Sequence, residues 1–169
     1  MSCLSFFERR VRPVRPLRLL FLLGGLLALV TPASAAPSAI LPFGAETWNE
    51  LGRSPWRPLV VVFTTTDCGH CPKVIDDLAE VMRKARSRVR LVVVVMDGAG
   101  QEDALRADRH YRYVNTLYVF DGDPAALRYK VNPAWRGMTP YVAFIAAEGA
   151  PRFHLGTPPP AAVRDFLRP

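Results

Sequence analysis

The sequence predicts a single α/β domain in which helices flank a central mixed sheet. Two valine-rich apolar runs, residues 59–63 and 91–96, show no polar–apolar alternation, which is typical of strands buried on both faces. Between these runs, residues 74–85 place apolar side chains at helical spacing, with charged residues between them. This order of strand, helix and strand predicts a βαβ unit with two parallel strands.

Length and composition agree with one compact domain. The chain has 169 residues, of which half are hydrophobic and 10% aromatic, so we expect a packed core. Three cysteines are too few for a small disulfide-stapled scaffold and cannot form a four-cysteine zinc site.

Residues 1–36 have the layout of a cleavable secretory signal peptide. Residues 1–18 hold five arginines and one glutamate, residues 19–30 form an apolar run, and Ala33-Ser34-Ala35-Ala36 supplies a cleavage site. A helix over the apolar run would span about 18 Å, less than the hydrocarbon core of about 30 Å. We therefore predict export to the periplasm, with an uncleaved membrane anchor as the alternative.

Most of the excess positive charge belongs to this segment. The whole chain carries a formal charge of +7, but residues 37–169 hold 17 basic and 14 acidic residues, a charge of +3. A nucleic-acid partner is not expected, because such a partner requires a basic patch or stripe. Cys3 leaves with the signal, so the predicted domain of residues 37–169 keeps two cysteines.

The other predicted elements are short. An extended segment over residues 37–45 and a helix over 46–51 precede the first strand, and the central helix is predicted over residues 69–87. Further along the chain the patterns predict a helix over 101–109, a strand over 117–120, a helix over 125–130, strands over 141–146 and 152–155, and a helix over 160–167.

Cys68-Gly69-His70-Cys71 carries the predicted chemistry, because it follows a buried strand and opens a helix. The thiolate is the nucleophile in disulfide exchange, and a helix N-terminus stabilises its negative charge. Cys68 is therefore predicted to attack, and Cys71 to be the shielded, resolving thiol. Protonated His70 would stabilise the Cys68 thiolate and make the disulfide more oxidising.

A pair of cysteines separated by two residues also fits other kinds of site. They could be half of a zinc site or a structural bridge, but the further ligands, His110 and His154, lie in distant segments. Copper handling by Cys68, Cys71 and His70 remains an alternative, as does a module that keeps the fold only for docking. A CxxC pair in a βαβ unit favours redox chemistry, with no metal and no cofactor beyond the Cys68–Cys71 disulfide.

Over residues 46–167 the sequence resembles the thioredoxin superfamily, through VVVFTTTDCGHC and GMTPYVAFI. The resemblance implies a thioredoxin fold, thiol–disulfide oxidoreductase activity, and a cis-proline at Thr139-Pro140 that faces the cysteine pair and helps to dock the substrate. The implied partners are periplasmic protein thiols or disulfides and a membrane redox partner, and the protein is expected to be a monomer.

The sequence departs from the family pattern near the cysteines. Gly69-His70 is the dipeptide of protein disulfide isomerases, Asp67 stands where thioredoxins usually have tryptophan, and Val62 replaces a buried aspartate that aids proton transfer. Asp67 or water is the predicted substitute for that aspartate.

The stretch between the central helix and Pro140 is longer than in a minimal thioredoxin, which predicts an inserted helix and strand. This insertion is similar to that of periplasmic TlpA/ResA-type thioredoxins, which favours a dedicated reductase, with a disulfide oxidase or isomerase as the alternative. Within it, Trp135 and Arg136 are predicted to form a partner-contacting loop, and Tyr111, Tyr113 and Tyr118 a partly exposed aromatic surface. His110 and His154 are expected at the surface, and Trp48 and Trp56 in core or edge packing.

Overall fold

The computed structural model describes residues 39–168, and these residues form a six-stranded mixed sheet flanked by helices. The predicted α/β class is therefore confirmed. The signal peptide predicted over residues 1–36 lies outside the described residues. Within residues 39–168, no helix has the length and apolar character needed to cross a membrane.

Strands and helices alternate along most of the chain. The strands are β1 (Ile40–Phe43), β2 (Leu59–Thr64), β3 (Arg90–Val95), β4 (Thr116–Phe120), β5 (Tyr141–Ile145) and β6 (Arg152–Leu155). The helices are α1 (Thr47–Arg53), α2 (Cys71–Lys84), α3 (Glu102–Ala107), α4 (Pro124–Val131) and α5 (Pro160–Leu167), with a 3₁₀ turn at Arg109–Tyr111.

The sheet combines a parallel half and an antiparallel half in the order β1-β4-β3-β2-β5-β6. Strands β1, β4, β3 and β2 run parallel, and α2 connects β2 to β3 as the predicted βαβ unit requires. Strand β5 pairs antiparallel with β2, and β6 pairs antiparallel with β5. Strand β2 therefore lies at the junction of the two halves.

Apolar side chains fill both faces of the sheet. Along β2, Val60 and Val62 pack towards α2, α3 and α5, whereas Leu59, Val61 and Phe63 pack towards α1 and α4. All six residues of β2 are buried, which explains why its sequence is uniformly apolar up to Thr64.

The two edges of the sheet are short. Strand β1 has four residues, and one of them is Pro42, which has no N–H to donate to a neighbouring strand. Strand β6 also has four residues, follows Pro151 and begins with exposed Arg152.

Several predicted boundaries were wrong. The central helix spans Cys71–Lys84 instead of residues 69–87. At its C-terminus, Arg86 adopts a left-handed backbone conformation (φ 48°) and the Ser87 N–H donates to the Met82 carbonyl, which closes the helix.

The stretch between β3 and β5 also differs from the predicted pattern. The helix predicted over 101–109 divides into α3 and the 3₁₀ turn, because the Asp108 side chain accepts a hydrogen bond from the His110 N–H and caps the turn. Near the start of the described residues, the segment predicted as extended, residues 37–45, contains β1. Helix α3, the 3₁₀ turn, β4 and α4 lie between β3 and β5, and that some of these elements are additions to the family's fold stays a prediction.

Candidate functional site

A disulfide joins Cys68 and Cys71, with their Cα atoms 5.5 Å apart. The pair lies beyond the end of β2, which emerges from the centre of the sheet. Cys71 is the first residue of α2 and is only 1% exposed, whereas Cys68 precedes the helix and is partly exposed. The two sulfur atoms therefore differ in access to a partner molecule.

Tight turns place the two cysteines. The Cys68 N–H donates to the Thr65 carbonyl and the Cys71 N–H donates to the Cys68 carbonyl, each at 3.2 Å. Pro72 at the next position lacks an N–H, which the first turn of a helix tolerates because it has no intrahelical acceptor there. The CGHC segment therefore forms a turn in front of α2, and the helix begins two residues later than predicted.

Asp97 fixes the loop that leads to Cys68. Its carboxylate accepts hydrogen bonds from the Thr66 N–H at 2.8 Å and from the Thr66 hydroxyl at 2.6 Å. Asp97 was not among the site residues predicted from the sequence. The signal was present, because Asp97 follows β3, and the carboxyl ends of neighbouring parallel strands lie at one edge of a sheet.

The other predicted site residues of the loop are exposed. Asp67, Gly69 and His70 all face solvent around the disulfide. His70 occupies the N-cap position of α2, and its side chain makes no capping hydrogen bond. Their roles in tuning the cysteines remain predictions.

Pro140 lies at the same end of the sheet as the disulfide. It precedes β5, whose first residue Tyr141 pairs with Phe63 near the end of β2. The Thr139–Pro140 peptide bond is cis, Pro140 is buried, and its carbonyl accepts a hydrogen bond from the Gly156 N–H at 2.8 Å. The topology thus brings Thr139 and Pro140 next to the segment that carries Cys68.

Trp135 supports the loop before Pro140 and does not form an exposed contact surface. Its indole is 7% exposed and stacks on Tyr141, with ring centroids 4.6 Å apart. Its Nε1–H donates to the Met138 carbonyl at 2.9 Å. The prediction that Trp135 contacts a partner was therefore wrong. Arg136 and Met138, in the same loop, are exposed, so contact of this loop with a partner stays a prediction.

His154, predicted at the surface, is only partly exposed. It lies on β6 opposite Val142, which pairs with Val62, and its ring centroid is 5.0 Å from that of Phe144. Its Nε2 is buried and has no hydrogen-bond partner among the described residues. Burial, together with the charge of Arg152, lowers the pKa of His154 below the ordinary 6.5.

Acidification should therefore destabilise the protein through His154. As the pH falls below about 6.5, the unfolded chain takes up a proton that the folded ring resists, so the free energy of unfolding decreases until the pH passes the folded-state pKa. We expect His154→Leu to remove this component. Urea unfolding of both proteins between pH 8 and 5, a range about the ordinary histidine pKa, would measure this component. If the free energy of unfolding falls equally with pH in the two proteins, the prediction is contradicted.

His110 connects α2 to the 3₁₀ turn. Its Nδ1 lies 2.7 Å from a carboxylate oxygen of Asp76, and its side chain is 20% exposed, so the predicted surface histidine is partly covered. Next to it Tyr111 is buried in the core, and burial, with the charges of Asp108 and Asp97, raises its pKa to about 12.

The remaining aromatic predictions hold in part. Tyr113 is exposed and Tyr118 is half-buried, so the predicted aromatic surface loses only Tyr111. Trp48 packs at the edge of the core, 6.0 Å from the rings of both Phe63 and Phe153. Trp56 is 63% exposed and lies under the Arg90 guanidinium instead of in the core.

Among the described residues, His110 and His154 do not join the two cysteines as further metal donors. In residues 39–168 there is no group of three or more histidine, cysteine or acidic side chains that could hold an ion. In the disulfide the two sulfur atoms are bonded to each other, so a copper site would require the reduced pair, and copper handling stays a prediction.

Two solved structures are similar to this chain. A secreted Mycobacterium tuberculosis disulfide oxidoreductase homologous to E. coli DsbE shares 22% identity over 62% of this chain and 71% of its own, with a TM-score of 0.41. DsbF of M. tuberculosis, in its mixed oxidized and reduced forms, shares 18% identity over 81% of this chain and 96% of its own, with a TM-score of 0.48. No protein-family model and no curated protein matches the chain.

The described domain has a thioredoxin-like fold, as the resemblance implied. The βαβ unit, the antiparallel pair beside it and the disulfide at the start of α2 carry this assignment. The TlpA/ResA subtype stays a prediction.

Proposed function

We propose that this protein is an exported thiol–disulfide oxidoreductase in which Cys68 is the nucleophile and Cys71 the resolving thiol. The observation that carries the proposal is the Cys68–Cys71 disulfide itself, with one partly exposed and one buried cysteine. An incoming disulfide can reach Cys68 directly, whereas Cys71 is positioned to attack only the sulfur of Cys68. Export rests on the sequence of residues 1–36.

In the reducing direction the reaction proceeds in two exchanges. The Cys68 thiolate attacks one sulfur of the partner's disulfide, forming a mixed disulfide and releasing the partner's other sulfur as a thiolate. The Cys71 thiolate then attacks the Cys68 sulfur, which releases the partner's second thiol and forms the Cys68–Cys71 disulfide. Two electrons thereby pass to the partner whose disulfide is reduced. A separate thiol donor then restores the Cys68–Cys71 dithiol, and we propose that this donor is a membrane redox protein.

Exposed apolar side chains at the end of the sheet that carries the disulfide fit a protein substrate. Met138 is 56% exposed just before Thr139-Pro140, and Leu155 is 53% exposed on β6 opposite Tyr141. Partners of this chemistry are protein thiols or disulfides with an apolar segment beside the cysteine. The proposed role is that of a dedicated reductase acting as a monomer.

The equilibrium of the cysteine pair with glutathione tests this function. We expect the full chain to interconvert reversibly between dithiol and disulfide and to accelerate the reduction of insulin by dithiothreitol. A potential near about −270 mV would support the reductase, and one near about −120 mV would support an oxidase or isomerase, which His70 beside the cysteines favours. A pair that stays oxidised at every glutathione ratio, with no insulin reduction, would overturn the oxidoreductase proposal.

A further inference from the structure

Basic residues concentrate at the end of α2 that lies away from the disulfide. Helix α2 has 14 residues, so its C-terminus lies about 20 Å along the axis from Cys71. Residues 83–90 (RKARSRVR) contain five basic residues and no acidic one. In a domain with a net charge near +3, this density makes one end of the molecule distinctly positive.

A cleft of about 310 Å³ lies within this basic end. Arg83 and Arg86 line it from the end of α2, and Arg112 lines it from the loop before β4. Polar residues complete its rim and apolar residues its floor: Ser87, Tyr113 and Asn115 at the rim, and Ala79, Met82, Val89, Leu91 and Val114 beneath.

The three arginines bring positive charge without a matching carboxylate. No carboxylate of residues 39–168 lies within 4.0 Å of their guanidinium nitrogens, and none of the cleft-lining residues of this part of the chain is acidic. The Arg112 guanidinium lies over the Tyr113 ring at 4.7 Å, which holds it at the cleft. Like charges around one cleft repel each other, and an anion between them would relieve that repulsion.

The polar residues of the rim add donors. The Asn115 side-chain oxygen accepts a hydrogen bond from the Leu91 N–H at 2.7 Å, so its NH₂ group remains available to donate. The Ser87 hydroxyl oxygen accepts from the Val89 N–H at 3.1 Å and can still donate its own hydrogen. The rim therefore offers mostly donors, which suits a ligand composed of acceptors.

We propose that this cleft binds an oxyanion of the phosphate type. Guanidinium groups are planar and bind phosphate oxygens through two parallel hydrogen bonds, which favours phosphate over a small halide. The same chemistry is offered by free phosphate and by the headgroup of an anionic phospholipid. Because the cleft and the disulfide lie at opposite ends of α2, an occupied cleft leaves Cys68 accessible to a partner.

A titration with inorganic phosphate tests the proposal. The ¹⁵N-labelled full chain is titrated at constant ionic strength, and we expect saturable shifts of the amide signals of residues 83–90 and 112–115. The double variant Arg83→Gln/Arg112→Gln should bind phosphate at least about tenfold more weakly, because two charge-assisted partners are removed. Arg53→Gln/Arg106→Gln, which removes the same charge elsewhere on the surface, should bind like the unmodified chain.

Vesicle flotation separates the two sources of phosphate. Vesicles of phosphatidylglycerol and phosphatidylcholine are compared with vesicles of phosphatidylcholine alone, using the unmodified chain and both double variants. If the unmodified chain and the control variant float with the anionic vesicles and Arg83→Gln/Arg112→Gln does not, the ligand is a phospholipid headgroup. If phosphate binding is saturable but no protein floats with the anionic vesicles, the ligand is free phosphate. The proposal is overturned if phosphate gives no saturable shifts and both double variants float alike, or if both lose phosphate binding equally.

Discussion

Replacing Cys71 with serine should leave the protein covalently bound to the partner it attacks. Cys68 would still form the mixed disulfide, but a serine hydroxyl at the buried position cannot displace the partner's sulfur. We expect insulin reduction to fall to the uncatalysed background, and disulfide-linked adducts to appear on non-reducing gels of cells that express the variant. Mass spectrometry of these adducts would identify the partners.

The companion variant Cys68→Ser should be equally inactive but should form no adducts. Its remaining active-site thiol, Cys71, is 1% exposed and cannot reach an incoming disulfide. In protein that keeps residues 1–36, Cys3→Ser is the control for the third cysteine and should leave both activity and adduct formation unchanged. Adducts formed by Cys68→Ser instead of Cys71→Ser would reverse the proposed roles of the two cysteines.

Removing the Trp135 ring should affect both stability and activity. Trp135→Ala deletes a buried ring that stacks on Tyr141 and packs 5.0 Å from Phe63, so we expect a loss of about 3–5 kcal/mol in the free energy of unfolding. Trp135→Phe keeps a ring but loses the hydrogen bond to the Met138 carbonyl, at a cost of about 1 kcal/mol. Urea unfolding measures both values.

The activity of these variants tells positioning apart from simple stability. Without the Trp135 hydrogen bond the segment before Pro140 can shift, and a displacement of about 1 Å can slow a reaction about 100-fold. We expect kcat/KM for insulin reduction to fall in Trp135→Phe under conditions where the variant is fully folded, while its reduction potential is unchanged. Exposed Trp56 provides the control, since Trp56→Phe should change neither quantity. Equal activity of the two variants would contradict the positioning role.

The strongest sequence patterns predicted the centre of the fold correctly. Residues 59–63 were predicted as a buried strand because no polar side chain interrupts them, and the same signal predicted β3. The apolar face of α2 was predicted from the helical spacing of its apolar residues. The terminal helix at Pro160–Leu167 was also predicted with the bounds that it has. In each case the information lies within a short window of sequence.

The burial of Trp135 and of the His154 Nε2 was not predicted, because the surroundings of both side chains depend on distant residues. The segment from Val131 to Met138 has no periodic pattern, and the stacking of Trp135 on Tyr141 follows only from the path of the loop. His154 lies on the short edge strand β6, and the register of β6 with β5 decides which face of the sheet its side chain occupies. A shift by one residue would turn every side chain of the strand to the other face. A single sequence does not contain that register.

The short edges of the sheet restrict how other chains can add to it. A long exposed edge would offer a row of unpaired N–H and C=O groups on which a second chain could extend the sheet. Strand β1 interrupts that row with Pro42, and β6 ends after four residues, close to the prolines that precede α5. Under the proposed function, a partner protein bound at Cys68 would therefore find little unpaired strand edge on which to extend the sheet.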